Sequence, residues 1–367
     1  MEFMNRLSTA NTSQQILSDL VEGIQETYDL GILFVSQQNT HNIKEIVEGL
    51  QGSSKIHTLL GCTCAGIIGS RQELEYQPGV SLILGKLPGV KISPFSLNQP
   101  QLEGLESKKD WYQFLEIFPN ENPVFITCSD PFLFDMNQFL DGLNGAFPQC
   151  PIIGGMASAA VKPNENILIF NDEFHDQGII GVVLTGNLNV ATVVSQGCRP
   201  MGENFIVTKA EGNIIYELAG KPFVQVLQNI LDKAPAADKL LAQEAIFVGI
   251  ALNEYKHNFK RGDFLIRGVM GIDQKIGAGA IGDYIKAGQT IQFHLRDAET
   301  ATDDLNELLR LQQISSHKEK PKGALMFSCN GRGENLFREK NHDLRIIQEQ
   351  IGPIPLAGFS APVKSAR

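Results

Sequence analysis

Cys329 closes an apolar run, GALMFSC, and is followed at once by Asn330-Gly331-Arg332-Gly333. A thiol at the C-terminal end of a buried strand, beside a loop freed by two glycines, stands where α/β folds gather ligands. Asn330 can donate and accept, and the Arg332 guanidinium offers a fork matched to a carboxylate or phosphate. The alternative for the same stretch is a tight turn with Arg332 solvated or structurally paired. Cys329 as a nucleophile would need a base in reach, and His294 and His342 are the candidates.

Other stretches offer chemistry of different kinds. In GCTCAGIIG, Gly61 to Gly69, an extended backbone would point Cys62 and Cys64 the same way. Two thiolates still leave a metal two ligands short, and no second Cys or His pair completes a zinc pattern. QFHLRDAET (292–300) alternates, with Gln292, His294 and Arg296 on one face and Phe293 and Leu295 on the other. A face with His and Arg is costly to bury unpartnered, so it is expected to line water or a ligand. Asp297 is better read as the cap of the following helix. Arg199, in QGCRPMG, is held extended before Pro200 and is either a structural turn residue or one that reaches a pocket. Arg267 sits in the apolar run GDFLIRGVMG and needs an anionic partner, from the protein or from a ligand. GAGAIG (277–282) has dinucleotide-loop spacing, but an alternating strand pattern follows it where a helix should open, so it reads as a strand edge.

These residues need a scaffold, and bulk composition bounds it. With 367 residues, the chain exceeds one average core. Hydrophobic residues are 43% and charged residues 20%, an ordinary globular balance. The net charge of -10 with no dense Lys/Arg block argues against nucleic acid or an anionic membrane as the main partner. No apolar run approaches the roughly 20 residues of a bilayer span, and the first residues lack a signal-peptide core. The expectation is a cytoplasmic protein without membrane insertion. The six cysteines are scattered, and buried thiols are their default reading.

A pattern then recurs along the chain. After a helix in the first 29 residues, opened by a capping-box-like Thr12-Ser13-Gln14-Gln15, GILFVS reads as a strand, NIKEIVEGL as a helix and KIHTLLG as a strand. An apolar hairpin is expected over 80–95, turning at Pro88-Gly89. The second pass is PVFITCS, a helix over 133–147, CPIIGGMAS, a strand and a hairpin over 178–197. The third is GALMFSC, a helix over 343–351 and PIPLAGFS. The expected class is α/β: two lobes with mixed β-sheets flanked by helices, built from repeated strand-helix-strand-hairpin units. The repetition makes the loops at Gly61–Gly69, Ile153–Ala159 and Ala357–Ser360 structural equivalents, placing Cys62, Gly66 and Gly155 among candidate lining residues. The lobe boundary is expected near 205–220, and DKAPAADK (232–239) is the loosest interior segment.

Taken together, QGCRPMG, VTKAEGNIIYELAGKP, GDFLIRGVMGID, GDYIKAGQTIQFHLRDAET, GALMFSCNGRG and IPLAGF resemble the FIST family (F-box and intracellular signal transduction). The resemblance covers nearly the whole chain from about residue 30. It divides the chain into a FIST N-like domain at 30–205 and a FIST C-like domain at 206–359. It implies a sensory module that binds a small ligand, amino acids being the usual suggestion, and signals to a protein partner in trans, with no cofactor and no catalysis. An amino acid would place its carboxylate on Arg332, Arg267, Arg296 or Arg199 and its ammonium on Asp283 or Asp297. Rival readings are a thiol enzyme or redox sensor using Cys329 or Cys62/Cys64, and a scaffold that binds only protein.

Two departures from the family pattern stand out. Ile67 occupies a position where the family usually has Glu. After Leu-Ala-Gly-Phe the family continues with a segment like Phe-Cys-Ala-Gly-Glu-Ile-Gly-Pro, whereas residues 360–367 read SAPVKSAR. Loss of one base in the Phe codons converts the first reading into the second, so this tail is expected to be frameshifted. Sequencing the genomic locus tests this: an intact codon run with no FIST-like frame downstream would rule it out.

Overall fold

The computed structural model describes residues 1–53, 56–244, 246–256, 258–260, 262–315 and 320–361. The chain forms two compact units, Met1–Thr192 joined by the segment from Gln313 onward, and Val193–Gln312. The boundary expected near 205–220 therefore lies earlier, and the third pass belongs with the first two.

In the first unit each pass is a parallel strand pair bridged by a helix. Tyr28–Ser36 pairs with Ile56–Cys64, Val124–Ser129 with Ile152–Met156, and Ala324–Cys329 with Leu356–Ala361. Each pair nucleates its own mixed sheet, of six, four and four strands. The bridging helices are Ile43–Ser53, Met136–Ala146 and His342–Ile351. One shared core takes Phe34 and Cys62 from the first sheet, Cys128 and Val182 from the second, and Phe359 from the third. The opposite faces bury the helices, as Ile46 and Leu50 do against Leu33 and Leu59, and Phe139 and Leu143 against Phe125. Strands buried on both faces carry no alternation, hence their unbroken apolar runs.

The same position in all three passes is glycine. A Cβ at Gly61, Gly154 or Gly358 would lie 2.1, 1.9 or 1.8 Å from the carbonyl oxygen of Leu33, Thr127 or Met326. Each is the registered partner across the parallel pair. The small residues of the three loops thus set how closely the strands approach.

Several expectations change. The chain opens with the strand Glu2–Ser8, ahead of the helix Ser13–Val21, because the exposed edge of Val80–Lys86 recruits it. Thr12 is the N-cap, but its side chain makes no capping bond. The turn at Pro88-Gly89 forms, yet Val80–Lys86 flanks the first parallel pair and Val90–Leu97 joins the second sheet. The second expected hairpin is also absent. Ile179–Gly186 lies between Val90–Leu97 and Val124–Ser129, which already occupy both its edges. Far from being loose, residues 232–239 end the helix Phe223–Lys233 and start Ala236–Glu244. Of the unusual tail, Ser360 and Ala361 complete the last strand, and residues 362–367 lie outside the described residues.

The second unit is an antiparallel sheet, in the order Cys198–Glu211, Thr290–Arg296, Ile246–Ala251, Phe264–Asp273, Ala278–Ile281, Ile214–Leu218 and Lys221–Pro222. Ile214–Leu218 also pairs back to Cys198–Glu211, so six strands close into a ring. GAGAIG is part of it: Ala278–Ile281 is a strand, with Gly279 against the Phe223 ring.

Replacing Gly61 or Gly358 with Ala should cost about 3 kcal/mol or more, the scale of an irreparable backbone clash. Gly145→Ala, in a helix with nothing within 4 Å of the new Cβ, should stabilise by up to about 1 kcal/mol. Denaturant unfolding of the three variants measures the contrast.

Candidate functional site

The three equivalent loops converge. Ser158, from the second, donates its backbone N–H to Thr63 O at 3.0 Å and its hydroxyl to Ser360 O at 2.7 Å, and accepts from Ala65 N at 2.9 Å. Gly66 is registered opposite Ser360, and a Cβ there would fall 2.4 Å from the Ser360 hydroxyl. Gly155 packs under the Phe359 ring.

Beside this junction lies a cleft whose empty space, open mouth included, is about 410 Å³. Gly66, Ser328, Cys329, Asn330, Arg332 and Gly333 line it together with Glu73, Glu75 and Tyr76. Its floor follows from local structure. Cys329 ends its strand, Arg332 N–H closes a turn onto Cys329 O at 2.8 Å, and Gly331 N–H donates to the Cys329 thiol at 3.2 Å. Gly333 then takes φ +66°, and a Cβ there would sit 2.0 Å from a Glu75 carboxylate oxygen. Only glycine lets Glu75 reach the N–H of Glu334, at 2.9 Å.

Arg332 is 7% exposed and forks onto Asp343, with Nε to Oδ2 at 2.6 Å and Nη2 to Oδ1 at 2.8 Å. His342 Nδ1 is 2.9 Å from the same Oδ1, and its ring stacks on Phe337 at 3.4 Å. The guanidinium also lies over Phe337, at 5.2 Å. Burial pushes the Asp343 carboxyl up, but hydrogen bonds and charge from Arg332 and His342 reverse this and leave it below its ordinary value. Two polar atoms at the cleft stay unsatisfied among the described residues: Arg332 Nη1 and Asn330 Oδ1, both buried. A buried donor and acceptor without partners mark a place where a ligand or water belongs.

The cleft's carboxylates were missed by sequence reading. In the strand Glu73–Glu75, Leu74 enters the core while Glu73 and Glu75 share the other face. Glu73 accepts from Leu344 N–H at 2.9 Å, in the first turn of the His342–Ile351 helix. Burial, with Asp343 and Glu75 adding repulsion, raises its carboxyl from 4.5 to about 7. The signal was the polar-apolar-polar triplet after the Gly69-Ser70 turn. Asp343 also went unread, although a buried arginine demands such a partner.

The remaining candidates lie elsewhere. Cys62 and Cys64 are buried in the core with sulfurs 3.5 Å apart, and burial raises both thiols. Such thiols are poor nucleophiles at neutral pH. In the other unit the charged candidates satisfy one another. Arg267 Nε bonds Asp283 at 2.8 Å, with both side chains buried. Arg199 forks onto Asp238 and reaches Asp297 at 2.7 Å. Asp297 also caps the helix Ala298–Ser315 through Thr300 N–H at 2.7 Å. The face of His294 and Arg296, expected to line water or a ligand, is buried. His294 packs on Phe264, Arg296 lies over Phe247, and burial lowers the imidazole's proton affinity. Cys329, Asn330, Arg332, Gly333 and Gly66 therefore come together, while Cys62, Gly155, Arg199, Arg267, Asp283, His294, Arg296 and Asp297 have structural surroundings. Among the described residues no group of three His, Cys, Asp or Glu is placed to hold a metal, and no helix is long and apolar enough to cross a membrane.

A mixed α/β protein with a small polar cleft, free of any metal-ligating cluster among the described residues, is the class that fold and site define. The chain belongs to the FIST family: residues 29–221 match the FIST N domain and residues 224–362 the FIST C domain. FIST domains are associated with sensing in signal transduction. An uncharacterized protein of Mycobacterium tuberculosis is 34% identical over 97% of this chain and 90% of its own length. Another, of Mycobacterium bovis, is 32% identical over 92% of this chain and 85% of its own length. An uncharacterized protein of Methanocaldococcus jannaschii is 27% identical over 53% of this chain and 39% of its own. The FIST C match runs through both compact units, since the third pass returns to the first.

Glu73 predicts an unusual pH dependence. Its folded-state value exceeds its unfolded one, so the protonated carboxyl stabilises fully below about pH 4.5, and this is lost as pH rises through about 7. The contribution is about 3 kcal/mol. Thermal midpoints from pH 4.5 to 8 should fall more steeply for the native chain than for Glu73→Gln; parallel curves would refute the assignment.

Proposed function

We propose that this chain is a cytoplasmic small-ligand sensor, acting without catalysis, that takes an amino acid into the cleft between Arg332 and Glu73 and reports its occupancy to a signalling protein in trans. The observation carrying this reading is the pairing, in one cleft, of an unsatisfied buried guanidinium N–H with two carboxylates. A carboxylate on Arg332 Nη1 would complete a fork whose other arms are fixed by Asp343. Asn330 Oδ1 and the Glu73/Glu75 pair then supply acceptors for an ammonium group. The small cleft favours a compact ligand, and the family's association with sensing supports a signalling output. The ligand ends thus differ from those expected: Arg332 remains a candidate, while Glu73 and Glu75 replace Asp283 and Asp297.

The thiol alternative loses Cys62 and Cys64 to burial and keeps Cys329, which lines the same cleft. Fast, selective alkylation of Cys329 at pH 7, unaffected by amino acids, would favour it.

Isothermal titration against the proteinogenic amino acids should give saturable binding to one or a few, and Glu75→Gln should weaken it about tenfold, or about 1.4 kcal/mol. An absence of heat and of thermal shift with every amino acid would overturn the amino-acid reading.

A further inference from the structure

Cys329, Asn330 and Arg332 belong to one β-turn, closed by the Arg332 N–H on the Cys329 carbonyl oxygen at 2.8 Å. Such a turn holds its first and fourth Cα atoms within about 7 Å of each other. A thiol, an amide and a guanidinium are therefore gathered in one short piece of the cleft's lining. Arg332 is 7% exposed, yet its Nη1 has no partner among the described residues, and neither has Asn330 Oδ1. The turn thus carries one buried donor and one buried acceptor that a visitor could satisfy. The Cys329 sulfur accepts the Gly331 N–H at 3.2 Å, which fixes where it sits. The other thiols lie in different surroundings. Cys62, Cys64, Cys128 and Cys198 are buried, and the half-buried Cys150 packs against the core of the second sheet.

We infer, resting on the sensor reading above, that Cys329 is a capture site for a small amino-acid disulfide of the cystine class, which it holds as a mixed disulfide. Three chemical requirements converge on that class. Arg332 Nη1 calls for an acceptor, met by an α-carboxylate, and Asn330 Oδ1 for a donor, met by an α-ammonium. The thiol calls for an electrophile, met by a sulfur–sulfur bond. The exchange balances without a further oxidant. The Cys329 proton leaves for solvent and the thiolate attacks one sulfur of the disulfide. A new S–S bond forms to Cys329 as the old one breaks, and the departing half leaves as a thiolate that takes up a proton. The retained half keeps its carboxylate and ammonium on the turn until excess free thiol reverses the exchange. Plain amino acids come and go by equilibrium, whereas a captured half-cystine persists, so the same cleft registers the oxidised form of its ligand.

Mass spectrometry with peptide mapping, after incubation of the native chain with cystine or with cystamine, tests this. Cystamine lacks only the carboxylates, and as a cation approaching a chain of net charge -10 it is favoured by general electrostatics. Each rate is divided by that of the same disulfide with glutathione, which removes differences in intrinsic reactivity. On that scale Cys329 should gain the cystine half at least about tenfold faster than the cystamine half. Cys150, which does not line the cleft, should show no such preference. Excess S-methylcysteine, which resembles the captured half but cannot exchange, should slow the capture, and dithiothreitol should restore the unmodified mass. No adduct on Cys329, or cystamine reacting there as fast as cystine, would overturn the capture. Calorimetry with S-methylcysteine then separates the two readings. Its binding would leave the sensor standing without the capture, while no binding by it or by any other amino acid would remove both.

Discussion

Every parallel strand pair in the first unit is closed over a carbonyl oxygen that leaves no room for a side chain. Glycine at 61, 154 and 358 meets that demand three times. The approach lets Phe34, Phe327 and Phe359, from the first and third passes, contact one another with centroids 5.1 to 6.2 Å apart. It also brings the strand ends near enough for the single hydroxyl of Ser158 to bond two passes besides its own. Loosening any pair would lower packing in the common core and pull the cleft's walls apart, since Gly66 and Ser360 lie directly downstream.

The site built there is held by helix starts as much as by side chains. Donors that a helix leaves unsatisfied in its first turn hold Glu73 and Glu75, while Asp343, in the same turn as Leu344, grips Arg332. Nη1 of Arg332 stays buried without a partner among the described residues, and removing Arg332 alone would strand Asp343 in a poorly solvated place. The charges of the second unit work differently. Arg267 and Asp283, and Arg199 with Asp238 and Asp297, leave each other little capacity for an outside partner.

Much of the frame was legible because it is local. Each pass shows an apolar strand, an amphipathic helix and a strand ending in small residues, and these periods survive translation into structure. Pairing between strands was not legible. Pro88-Gly89 specifies a turn, but which sheet receives Val90–Leu97 depends on Ile179–Gly186, far along the chain. The same limit governed the site. CNGRG was readable as a ligand loop because strand, glycines and arginine adjoin, while Glu73 acquires its character from burial in the fold and from partners such as Leu344 and Asp343, some 270 residues away. Buried arginines were readable as needing anions, yet sequence did not distinguish protein carboxylates from a ligand's. For Arg267 and Arg199 the protein supplied them.

The interruption of the first unit also orders events in time. Val193–Gln312 is a continuous stretch, and its ring of strands can close as soon as those residues leave the ribosome. The first unit must wait, because Gly66–Ile68, already paired with Glu73–Glu75, finds its second partner strand in Leu356–Ala361. Until then the apolar face of Ile67 and Leu74 has no cover from Phe359, and closing so long a loop is an entropic cost borne late. The cleft is therefore among the last features to mature, and a nascent chain lacking its final fifty residues would carry a finished second unit while the cleft is still unformed.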